Sequence, residues 1–252
     1  MIRPRTRTIT MAKMQATRDT ESSEGGAKRR RASGSTDTTR DKILDAAEAL
    51  FGERTFDTVS LRDITNRADV TLALASYHFG TKDKLFADIV ARRASILGEL
   101  RRERLAALEA AGTLSTGSIM EAFMRPMFEK MTEGGEGWPS YLLILAQLGQ
   151  SNRWLNLLHD NFDPTAELFL EKLVATLPGV PRPLLMRGFA LSLVAMLQTL
   201  ARNRRLDALS GGKVSSDDLG EAYAVLLQFV VSGLEGLAGL SGAESSPRVK
   251  QL

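Results

Sequence analysis

Apolar positions recur at three- and four-residue spacing through most of the chain after residue 37, and strand-like alternation is nowhere sustained, so the pattern predicts an all-α protein. Ile43, Ala46, Ala47, Leu50 and Phe51 share one helix face, closed by Gly52 and the Phe56/Val59 pair. Ser60 followed three residues later by Asp63 has the form of a capping box: the hydroxyl accepts from an orphan backbone donor and the carboxylate sits at the positive helix end. A second helix therefore begins at Leu61, with Leu61, Ile64 and Ala68 as a narrow apolar stripe. After an Asp69-Val70 turn, Thr71 is placed to cap a third helix of about three turns, packed through Leu72, Ala75 and Phe79. Gly80 fits its C-terminus, and Thr81 caps a fourth helix. That helix buries Leu85, Phe86, Ile89 and Val90 and continues through Arg101, Arg102 and Arg104 toward Ala110.

Further along, Met120, Met124, Met127 and Met131 fall on one stripe beside Phe123 and Phe128. Unbranched thioethers line pockets for variable apolar ligands, and they also fill ordinary core. Past a turn at Gly134-Gly135-Glu136-Gly137, the aromatics Trp138, Tyr141, Trp154 and Phe162 stand ready to wall the same cavity or to pack. The candidate pocket set is Phe123, Met124, Met127, Met131, Trp138, Tyr141, Trp154 and Phe162, with Arg125 and Arg153 as candidate anchors for an acidic head group. From Pro183 to Ala201 the only charge is Arg187, and apolar residues on every side ask for cover beyond the subunit's own core. The final helix, capped by Ser215 with Asp218 three residues later, carries one stripe at Leu219, Tyr223, Leu226, Val230 and Leu237 and a second at Ala222, Val225, Phe229 and Gly236. Two stripes imply two partners, with Gly233 and Gly236 allowing close backbone approach. Arg187, Ser192, Gln198 and Thr199 interrupt a barely sufficient membrane length, so no membrane span is read.

The second and third helices with their turn, about residues 60–79, form a helix-turn-helix. On the outer face of the third helix, Ala73, Ser76, Tyr77 and His78 are small or carry hydrogen-bonding tips, which suits a major groove. At this point the run ILDAAEALFGERTFDTVSLRDITNRADVTLALASYHFGTKDKLF resembles the tetracycline-repressor (TetR) family of bacterial one-component regulators. The resemblance covers about sixty residues, Asp37 to Leu97. It implies DNA contacts from Ser60 and Arg62 at the start of the second helix, from Thr71, Ala73, Ser76, Tyr77 and His78 in the third, and from Lys82 at the start of the fourth. Where many members carry a tyrosine this chain has Ser76, which shifts the grip toward Tyr77 and His78. The family also implies a homodimer whose four-helix bundle comes from the last two helices of each subunit, here about 183–202 and 216–240. The C-terminal half is loosely similar to regulators of acyl metabolism within the family, which implies a fatty acid or acyl-CoA as effector.

Charge changes this picture in one respect. Residues 1 to 37 carry a net charge of +5 against +3 for the whole chain, which leaves −2 for the rest. Residues 38 to 97 hold nine charges of each sign, so attraction for phosphate there depends on placement. Lys28-Arg29-Arg30-Arg31 is positioned as an arm for a neighbouring minor groove or as a solubilising run. The Arg/Thr-rich leader has no apolar core and is not read as a secretory signal, and Met11 and Met14 are alternative starts. With no cysteine and only His78 and His159, neither a metal cluster nor a nucleophile constellation is predicted; the chain is expected to be no enzyme, to need no cofactor and to reside in the cytoplasm. The expected organisation is a disordered basic tail at 1–36, a helix-turn-helix DNA-binding domain at 37–97, a ligand-binding and dimerisation bundle at 98–241, and a flexible tail at 242–252. The expected function is that of a ligand-responsive repressor on a palindromic operator, released by a small apolar effector. The competing expectation is a non-specific architectural DNA binder without an effector.

Overall fold

A computed structural model describes residues 38–149 and 151–241. The expectations for the 1–36 tail, for Lys28 to Arg31 and for the 242–252 tail lie outside them. All regular elements among the described residues are helical. Helix α1 spans residues 38–53; a 3-10 turn, Phe56–Thr58, leads to α2 (Leu61–Ala68) and α3 (Leu72–Phe79). The Ser60/Asp63 capping box forms, with the Ser60 hydroxyl accepting from the Asp63 N–H and the Asp63 carboxylate accepting from the Ser60 N–H. Asp69 takes the left-handed conformation at φ 53° that ends α2, one that Asp tolerates better than bulkier residues. The Thr71 and Thr81 hydroxyls cap α3 and the 30-residue α4 (Lys82–Ala111). At eight residues α3 is nearer two turns than three, and Leu72, assigned to its packed face, is exposed; Ala75 and Phe79 alone anchor it.

The remaining helices are α5 (Thr116–Glu133), α6 (Gly137–Leu148), α7 (Leu155–Thr176), α8 (Arg182–Leu200), a short α9 (Arg205–Leu209), α10 (Leu219–Gly236) and α11 (Ala238–Ser241). A 3-10 turn, Asn152–Trp154, precedes α7. The cap of α10 is Asp218, which accepts from the Glu221 N–H at 2.9 Å, and Ser215 instead accepts from the Asp217 N–H. The expected start at Ser215 fails because the Asp207 carboxylate binds both the hydroxyl and the N–H of Ser216, holding that stretch as a connection.

Two apolar cores result. The N-terminal core joins Ile43, Leu50 and Phe51 of α1, Ile64, Ala75, Phe79 and the α4 residues Leu85, Phe86, Ile89 and Val90; it also takes in Ile144 and Leu148 from α6. The C-terminal core holds the four stripe methionines together with Phe169, Leu173, Leu185, Phe189, Leu226 and Val230. Helix α4 runs through both, with Leu97 and Leu105 in the second. The α6–α7 corner is a further bridge: Gln147 Nε2 donates to the Phe51 carbonyl at 3.0 Å, and the Trp154 ring centroid lies 4.9 Å from Phe56 and 4.7 Å from Phe86.

Helices α8 and α10 pack at Gly188, where a Cβ would stand 2.8 Å from Leu234 Cδ2. Gly233 and Gly236, expected at a close approach, face open space within the subunit. On the other side α8 exposes Met186, Leu191 and Val194 while α10 exposes Val225 and Phe229, with Leu191 and Phe229 at 70% and 71% accessibility.

Candidate nucleic-acid interface and ligand cavity

Because Ala75 and Phe79 hold α3 to its core, its other face stands in solvent. Thr71, Ala73 and Ser76 are exposed, and Tyr77 is exposed to 79%. The half-buried His78 lies between rings, 5.3 Å from Tyr77 in an edge-on arrangement and 6.0 Å from Phe79. At the start of α2 the Ser60 hydroxyl and the Asp63 carboxylate are committed to each other, and hydrogen bonds from the Ser60 N–H and hydroxyl hold Asp63 below its ordinary pKa. Arg62 beside them is exposed, and its guanidinium has no hydrogen bond or ion pair among the described residues.

Lys82 is placed differently from what the family resemblance implies. Its ammonium donates to the carbonyls of Phe56 (2.9 Å) and Val59 (2.8 Å) and lies 4.2 Å from the Phe56 ring centroid. It ties the start of α4 to the turn entering α2. Two residues on, Lys84 is exposed and unpaired among the described residues, and it borders a groove with Ser76, Tyr77, His78 and Gly80. Helical phase accounts for the difference. Position 82 shares the face of buried Leu85, Phe86 and Ile89, whereas position 84 is about 200° round the helix from it.

A cavity of about 320 Å³ lies between α4, α5, α6, α7 and α8, at the small end of ligand-sized pockets. Leu97, Phe123, Met127 and Met196 form buried walls, and the exposed residues Asp163, Ala190 and Val194 mark its mouth. Of the eight residues expected to form a pocket, Phe123, Met127 and Phe162 line it. Met124, Met131, Trp138 and Tyr141 are buried in the C-terminal core outside its lining. Trp154 packs on the N-terminal core, carried there by the turn before α7.

Neither expected anchor reaches the cavity. Arg125 pairs with Glu121 one turn away and lies 5.0 Å from the Tyr223 ring centroid. Arg153 donates to Asp57 at 3.0 Å and Asp83 at 2.9 Å. The cation that lines the cavity is Arg101, only 6% exposed. Its Nε donates to the Phe123 carbonyl at 2.8 Å and its guanidinium carbon lies 3.9 Å from the Phe123 ring centroid. In sequence Arg101 sits in a charged run with Arg102 and Arg104, although Leu97, Arg101 and Leu105 at spacings of four put it in the buried phase of α4.

Leu145 and Phe162 line the cavity and pack against both cores. Among the described residues no three His, Cys, Asp or Glu side chains are grouped to hold a metal ion.

The sequence profile of "Bacterial regulatory proteins, tetR family" matches residues 43–89, and that of "Tetracyclin repressor-like, C-terminal domain" matches residues 121–233. The transcriptional regulator BetI of Rhizobium meliloti is 36% identical over 74 residues, 29% of this chain and 35% of its own length. The probable regulator YttP of Bacillus subtilis is 34% identical over 92 residues, 36% of this chain and 41% of its own. The chain thus spans well under half of the length of these curated relatives. The crystal structure of HlyIIR, a hemolysin II transcriptional regulator, superposes with a TM-score of 0.52 at 18% identity, covering 76% of this chain and 98% of that one, a likeness of fold.

Proposed function

The chain belongs to the tetracycline-repressor (TetR) family of bacterial transcriptional regulators, and from that premise we propose that it acts as a homodimeric repressor released from a palindromic operator by a small amphipathic acyl compound. Helix α3 is the reading element, with Tyr77 as its principal side chain and Ser76, Ala73 and Thr71 beside it. Exposed Leu72 and Leu74 add apolar surface of the kind that meets thymine methyl groups. Arg62 and Lys84 supply the phosphate contacts that Lys82, turned inward, does not.

The exposed stripe of α8 and α10 is the dimer surface. Both α8 and the stretch Leu219–Leu240 are long and apolar enough to cross a membrane by length and composition alone. Here their apolar residues divide into a face packed on the C-terminal core and an outer stripe, which a second subunit covers. A two-fold dimer sets its two reading helices about 34–36 Å apart, or a further turn of DNA, to suit a palindrome.

One observation carries the ligand response: Leu145 and Phe162 belong to the cavity wall and to the packing of both cores at once. An effector that fills the cavity pushes on these side chains. The α6–α7 corner passes the displacement through Trp154 and Arg153 to the 3-10 turn and the start of α4, altering the separation of the two α3 helices. The effector drives release only by as much as it prefers the released state.

A mobility-shift titration with the DNA flanking the protein's own gene, at about 100 mM salt, tests the reading. One fragment should give a discrete complex that dissolves when an acyl compound is added. Equal affinity for every fragment, dependent on the 1–36 tail, would point to an architectural binder and overturn it.

A further inference from the structure

The cavity holds a buried positive charge that has no counter-charge among the described residues. Apart from Nε, which binds the Phe123 carbonyl, the guanidinium nitrogens of Arg101 have no hydrogen-bond partner, and Arg101 has no carboxylate in ion-pair range among the described residues. Burial draws its pKa down to about 10, so the group remains charged at neutral pH. A buried charge without a counter-charge is destabilising, and arginine presents a planar fork that fits a carboxylate with two parallel hydrogen bonds. The one carboxylate in the cavity lining, Asp163, is at the mouth and exposed, with Oδ2 3.0 Å from His159 Nδ1. Close enough to feel the charge of Arg101, the Tyr141 hydroxyl is buried without a hydrogen-bond partner, and burial pushes its pKa up.

We propose that Arg101 is the ligand's counter-ion, and that the cavity selects an apolar chain ending in a free carboxylate over the neutral ester, thioester or alcohol of the same chain. This rests on the reading of the cavity as the effector site and narrows the acyl class to its acid form. The geometry gives the fork two tasks. Nε, held by the Phe123 carbonyl, fixes the plane of the guanidinium. The remaining donors are left for a ligand in the cavity that Arg101 lines, whose apolar walls of Leu97, Met127, Leu158, Phe162 and Leu193 take the chain. Acyl thioesters fit this arrangement poorly, because their carbonyl carries no negative charge to offset a buried cation.

The test is calorimetric titration of the full chain with octanoate, dodecanoate and hexadecanoate, each beside its methyl ester and its alcohol, for the wild type, Arg101→Met and Arg101→Lys. At least one acid should bind at least about tenfold tighter than its ester and alcohol to the wild type. Arg101→Met should erase that gap while chain binding persists, and Arg101→Lys should keep part of it. Equal binding of acid and ester by the wild type, or a gap that survives in Arg101→Met, overturns the assignment to Arg101 and leaves the cavity as an apolar effector site. No binding of any compound overturns both readings. If Arg101→Met does not fold, infrared spectra of carboxyl-labelled dodecanoate on the wild type decide: a carboxylate band shifted from its position in water supports the fork, and an unshifted band refutes it.

Discussion

Arg153 donates to Asp83 at 2.9 Å across 70 residues of sequence, joining the turn before α7 to the first turn of α4. The same guanidinium reaches Asp57 in the 3-10 turn and lies 4.5 Å from the Phe56 ring centroid and 4.8 Å from that of Trp154. These bonds are solvent-exposed, so Arg153→Ala should cost less than about 1 kcal/mol of stability. On the proposed route its effect falls on communication between cavity and DNA. The ratio of operator affinities without and with dodecanoate should shrink toward one in the variant, measured by fluorescence anisotropy. An unchanged ratio would place the coupling in α4 alone.

Lys82 and Lys84 should separate stability from DNA affinity. Lys82→Met removes two charge-assisted hydrogen bonds to half-buried carbonyls and should lower stability by about 1–3 kcal/mol, seen as a shift of the urea midpoint. Lys84→Ala should leave that midpoint in place. It should weaken operator binding and lower the slope of log affinity against log salt by about 1 for each phosphate that is no longer neutralised. A reversal of these phenotypes would refute the inward placement of Lys82.

Acid should loosen the connection before α10 through Asp207. The Ser216 hydroxyl, donating at 2.5 Å, and the Ser216 N–H hold this carboxyl below its ordinary value. A carboxyl with a lowered folded pKa contributes stability that is present above its unfolded pKa, near 4, and is lost as pH falls through the folded value. Thermal melts of wild type and Asp207→Asn should therefore differ at neutral pH and converge below about pH 4. A gap that persists at the acid end would show that the side chain acts through shape alone.

The proposed dimer surface is testable without DNA. Phe229→Glu places a charge in the middle of the outer stripe, on a side chain that stands largely in solvent within the subunit. Light scattering should report half the wild-type mass with unchanged helicity by circular dichroism, and operator binding should fall with it. Retention of the dimer would move the interface elsewhere.

How much could be read in advance follows the range of the interaction. Ser60, Thr71 and Thr81 cap their helices as their sequence context predicts, because a cap is satisfied within three residues. The two faces of α10 were visible too, since Val225 and Phe229 fall out of phase with Leu226 and Val230. Pairings across the chain were not. Trp154 joins a core formed about a hundred residues earlier, and Arg153 finds acids at 57 and 83, while its neighbours in sequence suggested a ligand anchor. The resemblance implies a DNA contact from Lys82, whereas its register with Leu85 and Phe86 turns it inward. Arg101 was hidden for the opposite reason: a charge in a run of arginines looks solvated until its phase with Leu97 and Leu105 is counted.

Hydroxyl-radical footprinting of the intact protein on the DNA flanking its gene addresses the central claim most directly. A homodimer reading successive major grooves with paired α3 helices should protect two symmetric patches separated by a whole number of helical turns. Tyr77→Ala should weaken both patches together, and dodecanoate should erase them together. A single patch, or protection spread evenly along the fragment, would contradict the account.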